Sequence, residues 1–178
     1  GILIEAMIQG KIAPGIRISL PELAKELEVS VTPIREALTQ LTEIGIVTYI
    51  ANRGFFVTEL SSKEASEIFE IIAVLECKAI EKTTFTAKQL KELKQINKAF
   101  KNASNTASKL QLDMQFHQKL IENYSNSYLK KIIENIRTRI FIYEHHFMVT
   151  EPVETSAQMH DHIIEALKLG NKKEAIKT

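Results

Sequence analysis

Two short helical stripes parted by a tight turn, then two strands around a glycine-containing turn, fill the first third of this chain, and few folds accommodate that order. Leu20, Leu23, Ala24 and Leu27 mark a short amphipathic helix. Glu28-Val29-Ser30-Val31 separates it from a second helix with Ile34, Leu38 and Leu41 at helical spacing. Ser30 or Thr32 supplies an N-cap, Pro33 suits the first turn, and Gly45 ends the helix. Such a pair is the helix-turn-helix pattern, although an ordinary helical hairpin reads the same way. Ile46–Ile50, then Ala51-Asn52-Arg53-Gly54, then Phe55–Thr58 read as strand, turn, strand, which turns the motif into a winged helix. Arg53, with Gly54 beside it at the tip, is placed to reach a phosphate or a minor groove. Upstream, Gly10–Ile18 closes a first helix with a Pro-Gly turn.

On these residues the chain resembles the DNA-binding domain of GntR-type bacterial transcription regulators. The resemblance rests on Ile8–Gly15, on Leu23-Ala24 with Leu27, on Val29-Ser30-Val31-Thr32-Pro33-Ile34-Arg35-Glu36-Ala37-Leu38, and on Gly45-Ile46-Val47. It implies readout of double-stranded operator DNA through Thr32, Arg35, Gln40, Arg53 and Gly54. The chain departs from the family at Val31 and Thr39, where arginine is common; valine donates no hydrogen bond, so a DNA contact is lost there.

Charge does not point to nucleic acid by itself. The 178 residues carry a net charge of +1, and over residues 1–60 five basic side chains stand against seven acidic ones. Phosphate neutralisation provides most non-specific affinity, so this domain is expected to bind DNA weakly as a monomer and to need a dimer. The single cysteine, Cys77, sits among apolar neighbours and reads as an inert buried thiol. No apolar run reaches membrane-spanning length and no signal-peptide pattern occurs, so a cytoplasmic location is expected. Both ends read as trimmed, the last one in mid-helix.

From Ser61 onward nearly everything reads as helix. Ser61 and Glu64 have capping-box spacing, and Ile68, Ile71, Ile72, Leu75 and Ala79 form an apolar stripe. Further helices follow over Thr86–Ala103, Leu110–Asn123, Tyr128–Thr150 and Val153–Leu169, with one more begun at Ala175. The expected fold is mostly α: a winged helix-turn-helix with a small β-hairpin wing over residues 1–60, then an all-α bundle over 61–178 that serves effector and metal binding and dimerisation.

Within the bundle, Asp113 and His117 are four residues apart, which places both on one helix face. A carboxylate and an imidazole so placed can hold one divalent metal, with a third ligand from another helix, His160 or His162. An isolated pair of this spacing is also a common surface ion pair. Asp113 and His117 with Leu120, Asn126, Leu129 and Arg139, and His160 with Ile163, Ala166, Leu167, Gly170 and Asn171, resemble the FadR-like (FCD) ligand-binding domain of GntR regulators. The resemblance implies that Asp113, His117 and His160 are metal ligands, with a further histidine expected beyond Thr178. Two imidazoles and a carboxylate suit Zn²⁺ or Ni²⁺, and Mn²⁺ remains open. His162 points about a quarter-turn away from the ligand pattern and reads as facing solvent or supporting a ligand, and His145 and His146 read as ordinary helix-face histidines, with lining of the same cavity as the alternative. Arg137 reads as an ion-pair partner, and Arg139 either as another or as a bidentate anchor for an effector carboxylate. Ile72 stands where the family often has arginine, which removes one anion contact.

The expected function is a homodimeric, ligand-responsive regulator, a repressor, whose metal and small organic acid modulate operator binding. Two other classes compete: a metal-dependent enzyme in the helical domain, and a winged helix used for protein contacts.

Overall fold

The computed structural model describes residues 12–59, 61–147 and 153–177, with the side chains of Ile142, Glu144–Phe147 and Val153 left aside. The expected first helix, the side chains of His145 and His146, and the end of the helix expected to reach Thr150 lie outside the described residues. The chain divides into two compact units, Gly1–Ala65 and Ser66–Thr178.

In the first unit, β1 (Arg17–Ile18) leads to α1 (Leu20–Glu26) and α2 (Val31–Glu43), then β2 (Val47–Ile50) and β3 (Gly54–Val57). Ser19 caps α1, accepting from the Glu22 N–H at 3.4 Å, and Leu23 and Ala24 are its buried face. The turn into α2 runs through Glu28 at φ 53°, a left-handed conformation unusual for a residue with a Cβ. Ser30 occupies the N-cap position of α2, yet its side chain makes no capping hydrogen bond. Gly45, at φ 74°, closes the helix: its N–H donates to the Thr42 carbonyl, and the Ile46 N–H to Leu41 at 3.0 Å. That paired closure is a Schellman motif, and it aims the chain into β2.

The wing is larger than a hairpin. Its strand order is β1-β3-β2, antiparallel throughout, with Ile18 opposite Phe55 and Val47 opposite Val57. Ile18, Val47, Phe55 and Val57 are all buried, and with Ile34, Leu38 and Ile46 they complete the buried set of this unit's helix-turn-helix and sheet. A two-residue strand shows no alternation, so β1 was not legible in the pattern.

The second unit is built from α3 (Ser62–Lys82), α4 (Ala87–Asn102), α5 (Thr106–Ile121), α6 (Ser127–Phe147), α7 (Val153–Lys168) and the single turn α8 (Lys172–Ala175). The capping box forms as expected: the Ser61 N–H donates to the Glu64 carboxylate at 3.0 Å, and the Glu64 N–H to Ser61 Oγ at 3.2 Å. Thr86 and Asn105 cap α4 and α5 with their side-chain oxygens, which accept from the Gln89 and Ser108 N–H groups. Helix α5 thus starts a full turn before the expected Leu110.

The core gathers Ile72, Leu93, Phe116, Leu120, Ile133, Ile140 and Ile164 from five helices. The expected stripe on α3 is corrected at Ile71, which is 51% exposed. The buried line instead runs Ala65, Ile72, Glu76, Ala79, Ile80, so a carboxylate stands in it. Cys77 is half-buried; its thiol donates to the Ile176 carbonyl at 3.6 Å, and burial together with the Glu76 charge pushes its pKa up. No helix among the described residues is long and apolar enough to cross a membrane.

Candidate metal centre and nucleic-acid face

Helix α2 turns Ile34 and Leu38 inward, which leaves Thr32, Arg35 and Gln40 exposed on the other side. Thr39, also outward, donates its hydroxyl to the Arg35 carbonyl at 2.8 Å and is occupied within its own helix. At the wing tip Asn52 (φ 61°) and Gly54 (φ 95°) make the reversal. Arg53 is exposed there and lies over the Phe56 ring, 5.5 Å from its centroid. The pairing of β1 with β3 brings a second basic residue to this edge: a Cβ added at Gly54 would lie 3.7 Å from Arg17 Nε. Nothing local in the sequence marks Arg17 as a wing residue, because the β1–β3 pairing spans the whole helix-turn-helix.

In the helical unit the structure brings Asp113, His117 and His160 together, with one ligand atom from each, all within 4.8 Å of one another. Asp113 and His117 come from α5, one turn apart, and His160 reaches them from α7. His160 Nε2 lies 3.2 Å from Asp113 Oδ1, and His117 Nε2 lies 3.8 Å from Asp113 Oδ2. Donor atoms bound to one ion at about 2.0–2.2 Å sit roughly 3–3.5 Å apart, so the three are near the spacing of a coordination sphere. His162 is elsewhere, paired with Glu174 at 3.5 Å on an exposed edge.

Three residues from three further helices hold the cluster. Asn97 on α4 is buried, and its Nδ2 donates to the Ala157 carbonyl at 3.1 Å and to Asp161 Oδ1 at 2.8 Å. Both acceptors lack protons to give, so the other end of the amide, 3.1 Å from His160 Nδ1, is its oxygen. His160 therefore meets an oxygen acceptor at each ring nitrogen. A neutral imidazole satisfies only one of them. Burial pushes the His160 pKa below the usual imidazole value, against the pull of Asp113, so the ring is neutral at neutral pH. Phe116, stacked on it at 3.8 Å between centroids, fixes the plane of the ring.

His117 is held from the other side. Its Nδ1 lies 2.9 Å from Glu76 Oε2 on α3, and Arg137 on α6 grips both Glu76 oxygens at 2.6 Å through Nε and Nη2. Arg137 Nη2 also lies 2.5 Å from His117 Nδ1, so that nitrogen faces a carboxylate and a guanidinium at once. Nδ1 can donate to Glu76 or accept from Arg137, and Nε2 is the ring nitrogen that faces Asp113. Burial raises Glu76, but its contacts with His117 and the Arg137 guanidinium outweigh it and hold the carboxyl well below its usual range. Asp113 is likewise held low, by His117, His160 and Arg137 against its burial.

Of the two arginines on α6, the one at the cluster is Arg137, with Nη1 4.0 Å from Asp113 Oδ2. Arg139 is half-buried, and its Nε has no hydrogen-bond partner among the described residues. Glu76 and Asn97 were not singled out from the sequence: each is a lone polar residue in an apolar helix stripe, and its partner lies some forty or sixty positions away.

A helix-turn-helix with a β-wing, joined in one chain to an all-helical unit around a buried Asp/His/His cluster, is the build of a two-domain bacterial transcription regulator. The chain belongs to the GntR family: residues 1–57 match the model for bacterial regulatory proteins of the gntR family, and residues 67–178 match the FCD domain. It is 31% identical over 176 residues to the uncharacterised HTH-type transcriptional regulator YdhC of Bacillus subtilis strain 168, covering 95% of this chain and 79% of that protein. It is 34% identical over 131 residues to the Nta operon transcriptional regulator of Aminobacter aminovorans, covering 71% of this chain and 62% of the relative. The structure of E. coli McbR/YncC superposes with a TM-score of 0.84 at 22% identity, over 98% of this chain and 86% of that one, a likeness of fold. The families and relatives are transcription regulators, not enzymes.

Proposed function

We propose that this regulator is a metal-dependent, effector-responsive repressor that acts as a cytoplasmic homodimer on a palindromic operator. Residues 1–60 read the DNA and residues 61–178 hold the metal, the effector and the dimer contact. The observation that carries the metal reading is the convergence of Asp113, His117 and His160, one ligand atom from each within 4.8 Å of the others, with oxygen acceptors at both nitrogens of His160. With its proton on Nδ1 for Asn97, its Nε2 lone pair stands against Asp113 Oδ1, a repulsion that a cation between them removes. Asp113, His117 and His160 would hold that cation, and Zn²⁺ or Ni²⁺ suits two imidazoles and one carboxylate, with Mn²⁺ open. A bound ion supplies a Lewis-acidic point for the carboxylate of a small organic acid.

This chain's residues do the rest of the work in the effector site. Arg137, committed to Glu76, keeps the cluster from carrying two unbalanced carboxylates. Arg139 has a buried Nε–H without an acceptor among the described residues, a donor that an effector carboxylate would satisfy. The effector must bind one arrangement of the dimer better than another, because equal affinity shifts nothing. On DNA, Thr32, Arg35 and Gln40 face the major groove, and Arg53 and Gly54 reach the backbone or the minor groove, with two copies spaced by one helical turn. Repression is the simplest mode, since a dimer seated on an operator blocks transcription without further contacts.

Elemental mass spectrometry of protein purified without chelator tests the metal reading. About one Zn, Ni or Mn per chain, lost in the Asp113→Ala/His117→Ala double variant, is the expected result. Wild-type protein that stays metal-free after reconstitution overturns it.

A further inference from the structure

We propose that Asn97 is a positioning residue of the metal site: by accepting the Nδ1–H of His160 it turns the Nε2 lone pair of that ring toward Asp113 and His117. The inference rests on the metal reading above and assigns a function to a residue outside the ligand set.

Asn97 has no freedom to do otherwise. Both amide protons are committed, one to the Ala157 carbonyl and one to Asp161 Oδ1. The side chain is 1% exposed, so water does not compete for the oxygen. The Asp161 carboxylate that locks the amide is itself engaged by Lys101. The chain Lys101–Asp161–Asn97–His160 therefore runs from the surface to the site with each donor and acceptor assigned. An amide that fixes a ligand histidine in this way selects the nitrogen that binds and raises no competing charge. Loss of such a partner typically weakens metal binding 10–100-fold.

A purely structural Asn97, tying α4 to α7, predicts something else, and three variants separate the two. Zn²⁺ affinity is measured by competition with a chromophoric chelator, alongside thermal unfolding of the metal-free proteins. Asn97→Ala removes the acceptor and should bind Zn²⁺ about 10–100-fold more weakly. The swapped pair N97D/D161N restores an oxygen facing His160 and an amide donor facing position 97, while setting an oxygen against the Ala157 carbonyl, and should bind Zn²⁺ more tightly than Asn97→Ala. Asp161→Asn alone, which weakens the lock but keeps the acceptor, should bind within a few-fold of wild type.

In the wild-type Zn²⁺ complex, ¹⁵N chemical shifts of His160 should show a protonated Nδ1 and a coordinated Nε2. Coordination through Nδ1, wild-type affinity in Asn97→Ala, or a swapped pair no better than Asn97→Ala overturns the proposal. Should Asn97→Ala fail to fold, the swapped pair and the wild-type spectrum still decide. Absence of Zn²⁺ uptake by the wild type overturns the metal reading itself, a separate outcome.

Discussion

Glu76 and Arg137 show how much a single side chain can matter inside the bundle. Each is about nine-tenths buried, and the guanidinium fork balances a carboxylate that is also hydrogen-bonded to His117. Arg137→Met would leave Glu76 and Asp113 close together without their cation. Breaking a buried pair in this way costs about 3–5 kcal/mol, read as a lower urea midpoint of the metal-free protein. An unchanged midpoint would contradict the pair's structural role.

Proton linkage points the same way. Glu76 and Asp113 have depressed pKa values, so the stability they add is present above their unfolded values of 4.5 and 3.8 and is lost as pH falls. His160 is depressed too, so its contribution is full above the unfolded 6.5 and fades below it. The metal-free protein should therefore lose stability steadily from about pH 6.5 downward, more steeply below 4.5. A urea midpoint constant from pH 8 to pH 4 would contradict this. The site was only half legible at this scale. Asp113 and His117 announce themselves through helical spacing, while His160 and His162 read alike as a third ligand until the family resemblance chooses His160. Asn97 and Glu76 look like ordinary polar breaks in amphipathic helices until tertiary contact joins them to histidines on other elements.

Elements were easier to read than contacts, because a cap or a periodic stripe is local. The capping box at Ser61 and Glu64, the glycine stop at Gly45 and the wing turn all stand where spacing puts them. The exceptions had no local signal: two residues of β1 carry no pattern, and Ile71 is a fully apolar residue one step off the buried line. Gly45 is the position where the element depends on one residue. At φ 74° an alanine carries a left-handed penalty of about 1–2 kcal/mol, and α2 would lose its fixed exit into β2. Gly45→Ala should lower the unfolding midpoint by that amount; no change would mean the Schellman closure is dispensable. The wing offers a prediction of its own. Arg53 is exposed and Arg17 lies beside Gly54, so both are placed for phosphate contact. Replacing either with alanine should weaken binding across DNA sequences alike and reduce the salt-dependence slope by about 1. Arg35→Ala, on α2, should instead relax discrimination between operator variants. Mobility shifts at several salt concentrations separate the two behaviours.

For the whole molecule, charge limits how it can use DNA. With five basic and seven acidic side chains over residues 1–60, one winged helix lacks the excess cation that holds most DNA-binding domains on a duplex. On the proposed reading, contacts from Arg17, Arg35 and Arg53 would work against the repulsion of their acidic neighbours, so a single copy should hold a half-site weakly at physiological salt. Two copies linked through their helical domains turn the second contact into an intramolecular one, and avidity of that kind adds about 10²–10⁴ in affinity without any new contact. A palindromic duplex with half-sites one helical turn apart should accordingly be bound at least about 100-fold more tightly than a duplex carrying one half-site. Shifting the half-sites by about five base pairs, which puts them on opposite faces of the duplex, should abolish the gain. Equal affinity for all three duplexes would mean that the net-acidic winged helix acts alone, and the dimer would lose its place in the mechanism.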